Sequence, residues 1–291
     1  MCSKNITLKH SFTLIFLFLI SLTASAQDSL FSVPVKVREV PNPNWIEISG
    51  ITASKDHPER LYIHNDSGGE NAVFIMSTEG EELGKVVLEG IKNRDWEDIA
   101  LGPGPKKKSY VYVAEIGDNI AQHEEIMIYR FPEPKKTESS VKAEQASFIN
   151  PNGPMDAEAI FVDPISERLY LISKRDSVNT LFEMPMSAFK SGKTEELSEL
   201  GKFDFTSTVA ADISQDGKQI LVKTYFAIYH WDRKEGESVE ETLARKPKQL
   251  IYTPEPQGEA VAFQKDGMGY YTLSEERFGI KPVLYHYKKQ K

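Results

Sequence analysis

A short pattern of polar and hydrophobic residues recurs five times along the chain. Each copy is a small or charged residue followed by apolar positions typical of a buried strand. The copies are Ser49-Gly50-Ile51, Glu97-Asp98-Ile99, Glu158-Ala159-Ile160, Ala211-Asp212-Ile213 and Glu259-Ala260-Val261. Their first residues are separated by 48, 61, 53 and 48 positions. These spacings are close to the length of a four-stranded propeller blade, so the pattern predicts five repeats of one unit.

Further strands follow each copy in the same order. A turn rich in Gly, Pro or Asp comes first, and a second apolar strand comes directly after it. The second strands are predicted at 61–63, 110–113, 169–172, 220–222 and 270–273. Third strands are predicted at 72–76, 125–131, 180–184, 227–231 and 283–287, and fourth strands at 85–88, 144–149, 200–205 and 248–253. Short helices are expected only within 187–191 and 235–243.

The two ends of the chain complement each other. The fifth repeat lacks a fourth strand, whereas an unassigned strand at 33–40 precedes the first repeat. Pairing them would close a ring and remove an exposed sheet edge. We therefore predict an all-β fold, a five-bladed β-propeller in which an N-terminal strand completes the last blade. A β-sandwich or two small β domains is the alternative, but neither predicts this spacing together with complementary ends.

The first 26 residues have the pattern of an export signal. A basic start precedes the apolar stretch 12–22, and small residues lead to Ala26, after which we expect cleavage. Residues 27–291 would then form a single propeller domain in the periplasm or outside the cell, without membrane insertion. The single cysteine, Cys2, would leave with the signal, so disulfides and thiolate-bound zinc are not expected. We expect this domain to be a monomer.

The overall charge argues against one class of partner. The formal net charge is −8, and no concentrated basic stripe interrupts it, so we expect no binding to nucleic acid. The sequence also lacks a nucleophile elbow, a paired-histidine zinc motif and a phosphate-binding Walker loop. The common hydrolase and nucleotide-binding mechanisms therefore have no support from motifs.

The propeller geometry would bring one residue of each repeat to the central axis. In a propeller the innermost strands begin at one face of the channel. The residues expected there are Ser49, Glu97, Glu158, Ala211 and Glu259. Three carboxylates on a narrow axis repel one another unless some are protonated or a cation lies between them. Oxygen ligands of this kind suit calcium, so a Ca²⁺ site is predicted at this mouth of the channel. The alternative is that these glutamates only accept hydrogen bonds from neighbouring strands.

The ends of the second strands should meet at the same face. They supply a mixture of cations, amides and carboxylates that could hold an anionic small molecule. The candidate binding residues are Asn65, Asp66, Arg94, Asn119, Lys174, Arg175, Lys223, Tyr225, Glu275 and Arg277. Candidate catalytic acid–base groups are His64, Glu115 and Asp118. For any one of these residues, an ordinary structural role in a loop is the alternative.

The residues expected in the ring resemble those of a known family. The order Ser49, Glu97, Glu158, Ala211, Glu259 is similar to the Ser, Glu, Glu, Ser, Glu calcium ring of the calcium-activated apyrases, which are five-bladed and hydrolyse nucleoside diphosphates. The resemblance covers about five positions and departs at Ala211. The Ser-Gly-Ile, Trp-Glu-Asp-Ile-Ala and Glu-Ala-Ile segments resemble secreted bacterial phytase-like or SdiA-regulated propellers. These resemblances imply the architecture and a cation.

Three functions are compatible with these residues. The first is a secreted calcium-binding propeller that binds, and in one version hydrolyses, a phosphorylated or other anionic small molecule. The second is a non-enzymatic propeller that binds a glycan or a protein and uses the cation only for stability. The third is a glycoside hydrolase, which needs two suitably spaced carboxylates, for example among Asp66, Glu115 and Glu275. The sequence alone leaves open whether the protein is an enzyme.

Overall fold

The computed structural model describes residues 29–45 and 47–290, so the predicted signal peptide lies outside the described residues. The strands in chain order are β1 (Val35–Glu39), β2 (Ile48–Ala53), β3 (Arg60–Asn65), β4 (Ala72–Ser77), β5 (Glu82–Leu88), β6 (Trp96–Pro103), β7 (Ser109–Glu115), β8 (Ile126–Pro132), β9 (Glu138–Val141), β10 (Glu144–Ile149) and β11 (Ala157–Val162). They continue with β12 (Leu169–Ser173), β13 (Thr180–Met184), β14 (Glu195–Glu196), β15 (Ser198–Lys202), β16 (Thr208–Ile213), β17 (Gln219–Thr224), β18 (Ile228–Asp232), β19 (Lys248–Gln249), β20 (Ala260–Phe263), β21 (Gly269–Leu273) and β22 (Val283–Lys288). The helices are a 3₁₀ turn (Pro105–Lys107), α1 (Ala188–Ser191) and α2 (Val239–Leu243).

These strands form five sheets, and each sheet is one blade. Within a blade, the first four strands are antiparallel neighbours. Blade 1 is β2-β3-β4-β5, blade 2 is β6-β7-β8-β10, blade 3 is β11-β12-β13-β15, blade 4 is β16-β17-β18-β19, and blade 5 is β20-β21-β22-β1. Each blade's innermost strand contacts that of the next blade, and β20 contacts β2. The predicted five-bladed propeller is confirmed.

The ring is closed by the N-terminal strand, as the sequence predicts. β1 pairs antiparallel with β22, with Val35 opposite His286 and Glu39 opposite Val283. Just before β1, the Phe31 ring is buried and packs edge-on against Tyr270, with 4.9 Å between ring centroids. Apolar burial and a hydrogen-bonded ladder therefore hold the two ends of the chain together.

Two short strands were not predicted. β9 pairs in parallel with the outer strand of blade 1, and β14 pairs in parallel with the outer strand of blade 2. Each lies in the connection between the third and fourth strands of one blade and pairs with the sheet of the blade before it. The helices occupy the two expected segments, and α2 begins with a capping box formed by Ser238 and Glu241. The fourth strand of blade 4, predicted at 248–253, extends only over β19.

The hydrophobic core lies between the blades. Alternate residues of each strand face the neighbouring sheet, where aliphatic and aromatic side chains form five buried clusters. An example of this packing is the stack of Tyr270 on Tyr287, with 4.4 Å between centroids. Within the described residues, no helix has the length and hydropathy needed to cross a membrane.

Candidate functional site

A β-bulge marks the start of four of the five innermost strands. In blade 2, Trp96 pairs with Glu115 and Asp98 pairs with Ala114, which leaves Glu97 as the extra residue. The same irregularity falls at Ser49 in blade 1 and at Glu158 in blade 3. Such a bulge re-aims one side chain without breaking the sheet. In blade 5, Glu259 directly precedes β20 and is buried like the others.

The register corrects the position predicted for blade 4. There the bulge lies between Thr208 and Ala210, so Val209 is the residue equivalent to Glu97 and Glu158. Ala211, predicted as the fourth ring member, lies two residues further along the strand and packs in the hydrophobic core. The prediction was wrong because Ala211-Asp212-Ile213 resembles the other repeats, while the residue at the true ring position, Val209, is apolar. The ring is therefore Ser, Glu, Glu, Val, Glu.

Carboxylates just before the innermost strands belong to the same surface. Glu47, Asp95 and Asp156 each lie two residues before a ring residue, in blades 1, 2 and 3. Asp156 and Glu47 were missed by the sequence reasoning, although an acidic residue two positions before the ring residue in three repeats is a visible signal. At the ends of the second strands, Asp66 and Glu275 add two further acids.

Two groups of three carboxylates are close enough to hold a metal ion. The first group is Asp66, Asp95 and Glu97, which we call the outer triad, and the second is Glu97, Asp156 and Glu158, which we call the inner triad. Within each group, one oxygen of every residue lies within 4.8 Å of the others. Glu97 belongs to both. The mouth therefore contains a buried acidic cluster with the composition of a hard-cation site.

Basic side chains already neutralise the inner triad. The Lys174 ammonium contacts Glu158 and lies 4.0 Å from Glu259, and the Arg175 guanidinium lies 2.5 Å from Asp156. Lys174 also packs over the Tyr225 ring, 5.2 Å from its centroid. On this side of the mouth, the positive charge among the glutamates is therefore the ammonium group of Lys174.

The outer triad lacks such a partner. No described Lys, Arg or His nitrogen lies within 4.0 Å of the carboxylates of Asp66, Asp95 or Glu97. Burial and the nearby Asp95 and Glu259 raise the pKa of Asp66 to about 7. Burial raises the pKa of Asp95, and burial with Asp66 and Asp95 beside it raises the pKa of Glu97 well above its usual range. Arg94 and His123 oppose the shift at Asp95, and Lys174 opposes it at Glu97, but burial and the neighbouring acids outweigh them.

Blade 5 supplies a second pair of acids next to this triad. The Tyr225 hydroxyl donates a 2.6 Å hydrogen bond to Glu259 Oε1. Burial, together with the negative charges of Glu259 and Asp66, raises the pKa of Glu275 to about 8. Glu275 is therefore largely protonated at neutral pH and can donate a hydrogen bond.

A glycine allows the carboxylates to approach the backbone. Gly117 follows β7 and lies against Glu97 and Asp95. A Cβ atom at this position would overlap Glu97 Oε1 and the Asp95 carboxylate. The absence of a side chain at Gly117 thus permits the geometry of the outer triad.

The three candidate acid–base residues are all engaged in the fold. His64 is fully buried, packs under Gly50 and edge-on against Trp96, and has its pKa lowered to about 4 by burial. Glu115 accepts a 3.3 Å hydrogen bond from the Arg94 amide, and the Arg94 guanidinium lies 3.7 Å away. Asp118 accepts hydrogen bonds from the amides of Gln122 and His123. A catalytic His64 is contradicted by this burial.

The other predicted binding residues divide into buried and exposed groups. Asn65 is buried and donates to the Asn44 carbonyl, and Lys223 is fully buried and donates to the Gly258 carbonyl. Neither is free to contact a ligand. Asn119 is exposed and accepts a hydrogen bond from Arg175, and Arg277 is exposed beside Phe278. Ser49 donates a 2.5 Å hydrogen bond to the Glu97 carbonyl and so joins blade 1 to blade 2.

Comparison with solved structures finds chains that are similar to this one at low sequence identity. No family model matches the sequence, and no curated protein matches it. Hydrazine synthase of Kuenenia stuttgartiensis is similar at 15% identity and a TM-score of 0.42 over 79% of this chain, which spans 56% of that chain's length. A chain of the nidogen/laminin complex is similar at 13% identity and a TM-score of 0.46, with 80% of this chain and 73% of that chain covered. The site itself is therefore the basis for any assignment of function.

Proposed function

We propose that this protein binds a calcium ion at the outer triad and uses it to hold an anionic small molecule at the axial mouth. One observation carries the proposal. Asp66, Asp95 and Glu97 each place one carboxylate oxygen within 4.8 Å of the others, and no described basic nitrogen lies within 4.0 Å of these carboxylates. A divalent cation would relieve their mutual repulsion and would explain why the protein tolerates so much buried negative charge.

Calcium is preferred to magnesium because of the ligands available. The triad lies partly open to solvent at Asp66 and Asp95, so water or a ligand oxygen can complete the coordination. Calcium accepts six to eight oxygens in irregular geometry, whereas magnesium demands a near-ideal octahedron. Asp66, Asp95 and Glu97 would hold the ion, and its remaining positions would accept a carboxylate or phosphate.

The exposed guanidinium groups at the mouth support an anionic ligand. Arg175 is half exposed while it pairs with Asp156, and Arg277 lies in the loop after β21. Either can form paired hydrogen bonds with a phosphate or carboxylate that the calcium ion holds. In this arrangement the ion supplies most of the attraction, since the mouth without it is negative.

Isothermal calorimetry and thermal unfolding with CaCl₂ test the calcium site. Binding only to the folded state raises its melting temperature, and saturating ligand at a hundredfold excess over Kd adds about 2.7 kcal/mol. We expect Asp95→Asn to melt at or above the wild-type temperature without calcium, because one repulsion is removed, and to lose the calcium-dependent increase. Asp232→Asn removes the same charge from a residue that is 56% exposed at the opposite face and should respond like wild type. An unchanged wild-type melting temperature at millimolar calcium would refute the proposal.

Hydrolysis of a phosphorylated ligand is the second candidate function, and Glu275 is the residue that favours it. A protonated carboxyl beside a calcium-bound phosphate could act as general acid for the leaving group. A phosphate-release screen over nucleotides and sugar phosphates tests this activity. Glu275→Gln should then lose turnover while it keeps the calcium-dependent melting shift. Stabilisation by calcium with no phosphate release would restrict the protein to binding.

We further propose that the protein is exported from the cytoplasm. The export signal at 1–26 would deliver residues 27–291 to a compartment where calcium is abundant. Mass spectrometry of the protein expressed with its full sequence tests this step. A mature chain that begins at Gln27 is expected, and a cytoplasmic chain that retains Met1 would contradict it.

A further inference from the structure

Large apolar side chains are exposed on the loops around the acidic mouth. Ile120 is 73% exposed, Phe226 80%, Phe278 87% and Ile280 52%. These residues follow the second strands of blades 2, 4 and 5, so their loops emerge at the face that carries the outer triad. Phe226 directly follows Tyr225, which is hydrogen-bonded to Glu259 at the mouth. Four exposed apolar side chains on the loops of one face are available to contact a partner surface.

The loop of blade 5 presents its apolar tip through a tight turn. The Arg277 amide donates to the Ile280 carbonyl, and the Ile280 amide donates to the Arg277 carbonyl, at 3.2 and 2.9 Å. Phe278 and Gly279 between them have φ angles of 55° and 73°. These left-handed conformations are rare for an aromatic residue and match a primed hairpin turn. The turn holds Phe278 out into solvent.

Cations flank this apolar tip. Arg277 and Lys281 border the segment Phe278-Gly279-Ile280, and both are exposed. Apolar side chains that enter the interface of a bilayer are commonly accompanied by Lys or Arg, which attract the anionic headgroups. Blade 3 adds the half-exposed Arg175 at the same face.

We propose that the mouth face docks on an anionic phospholipid membrane, with Phe226, Phe278 and Ile120 inserted at the interface and calcium bridging the outer triad to a lipid phosphate. The calcium bridge rests on the proposed function above. Without the ion, the acidic mouth opposes an anionic surface. With the ion bound, the same carboxylates anchor it, so docking is calcium-dependent.

The distribution of the apolar side chains favours a membrane over a protein partner. They project singly from three separate loops of the rim rather than lining a continuous groove. A fluid lipid interface accepts separate side chains at any spacing, whereas a protein surface needs a matching pocket for each. The negative centre between them requires a bridge to lipid phosphate, which calcium provides.

Cosedimentation with lipid vesicles tests the inference. The mature protein is mixed with vesicles of phosphatidylcholine alone or with added phosphatidylserine, in calcium or in EGTA. Binding is expected only with phosphatidylserine and calcium together. Phe226→Ser with Phe278→Ser should weaken it by about tenfold or more for each side chain removed. The control pair, Ile165→Ser with Met268→Ser, changes residues 60% and 50% exposed in turns of the opposite face and should bind normally.

The calcium-dependent melting shift is measured on the same samples. If the phenylalanine variant keeps that shift and loses vesicle binding, the inference is supported. If wild type shows the shift but binds no vesicles, the membrane inference is overturned and the calcium site stands. If wild type shows no shift, the proposed function itself fails, and vesicle binding that persists in EGTA would overturn the calcium bridge.

Discussion

At the scale of single residues, one buried amine divides the mouth into two electrostatic halves. Lys174 neutralises Glu158 and approaches Glu259, whereas the outer triad has no such partner. A buried ion pair is costly to break because the remaining charge stays buried and uncompensated. Lys174 therefore belongs to the structure of the propeller, and the calcium site proposed above uses the carboxylates of the outer triad.

Lys174→Met tests this structural role. We expect the free energy of unfolding to fall by about 3–5 kcal/mol in calcium-free buffer, because Glu158 and Glu259 lose their cation. Urea denaturation followed by circular dichroism measures the change. Lys218→Met is the matched control: its amine is 74% exposed and 4.0 Å from Asp216, so its loss should cost less than about 0.5 kcal/mol. Equal stability of the two variants would contradict the role assigned to Lys174.

Asp212 predicts a pH dependence of stability. Its carboxylate is fully buried and accepts a 2.7 Å hydrogen bond from the Phe263 amide of the next blade. Burial raises the pKa of Asp212 to about 7. Between about pH 4 and pH 7 the folded state thus binds more protons than the unfolded state, and this group's contribution to stability falls as pH rises. The fall is at most about 1.4 kcal/mol per pH unit.

Asp212→Asn should remove that contribution while its side-chain oxygen still accepts the Phe263 amide. The difference in free energy of unfolding between wild type and variant is measured by urea denaturation from pH 4.5 to 8. We expect the stability of the variant relative to wild type to increase from pH 4.5 to about pH 7 and then to level off. A difference that stays constant across this range would show that Asp212 does not change its proton there.

At the scale of secondary structure, the connections between third and fourth strands join neighbouring blades. β9 and β14 extend the sheets of the preceding blades, and α2 packs Val239 and Leu243 into the core beside blade 3. In blade 5 the fourth strand comes from the other end of the chain. Blades 1, 2, 3 and 5 are therefore each fastened by a segment that the neighbouring blade or the chain end supplies.

Removal of residues 1–40 tests the closing strand. This truncation exposes the edge of β22 and the pocket of Phe31, so we expect a loss of several kcal/mol in stability and concentration-dependent aggregation. Thermal melting and light scattering measure both effects. The control protein begins at Ser29 and keeps β1, and it should remain monomeric and stable. A truncated protein that melts like this control would contradict closure by β1.

Much of this element structure follows from local patterns. Alternating apolar runs, Gly and Asp turns and the unpaired ends predict the blades and their closure, because every repeat buries the same face. β9 and β14 escape prediction since their residues are polar and only pairing with a neighbour makes them strands. The ring position of blade 4 is also not predicted, because Val209 stands where the other four repeats have a serine or a glutamate.

The carboxylates of the site are only partly predictable for a similar reason. Glu97, Glu158 and Glu259 are visible through their repeat position, and Asp66 through its strand end. Which of them pair with Lys174 and which remain without a cation depends on side-chain packing across three blades. Sequence periodicity identifies the mouth, but only the structure separates the outer triad from the inner one.

At the scale of the whole molecule, the two ends of the described chain lie side by side. The Ser32 amide donates to the Lys288 carbonyl at 2.8 Å, and the Gln290 amide donates to the Leu30 carbonyl at 2.9 Å. A short Gly/Ser linker can therefore join residue 290 to residue 29 without strain. The propeller then becomes a covalently continuous ring that can be opened elsewhere.

A circular permutant opened between Asn152 and Gly153 should keep the fold. This link between blades 2 and 3 belongs to no strand, so we expect its free energy of unfolding to stay within about 2 kcal/mol of wild type. Circular dichroism and urea denaturation provide the comparison. A permutant opened between Tyr112 and Val113, both fully buried in β7, should not fold. Failure of the first permutant would show that the chain order, beyond the set of contacts, is needed.

The valine in the ring has a further consequence. Five identical blades would present the same face to a ligand in five equivalent orientations, whereas this ring carries glutamate in three blades, Ser49 in blade 1 and Val209 in blade 4. The mouth therefore has a single rotational setting, because the order Ser, Glu, Glu, Val, Glu has no rotational symmetry. A ligand bound there has one orientation about the channel axis. Compared with five equivalent orientations, this costs about 1 kcal/mol of entropy, which is RT ln 5. The unequal ring residues thus fix the orientation in which a ligand binds at the mouth.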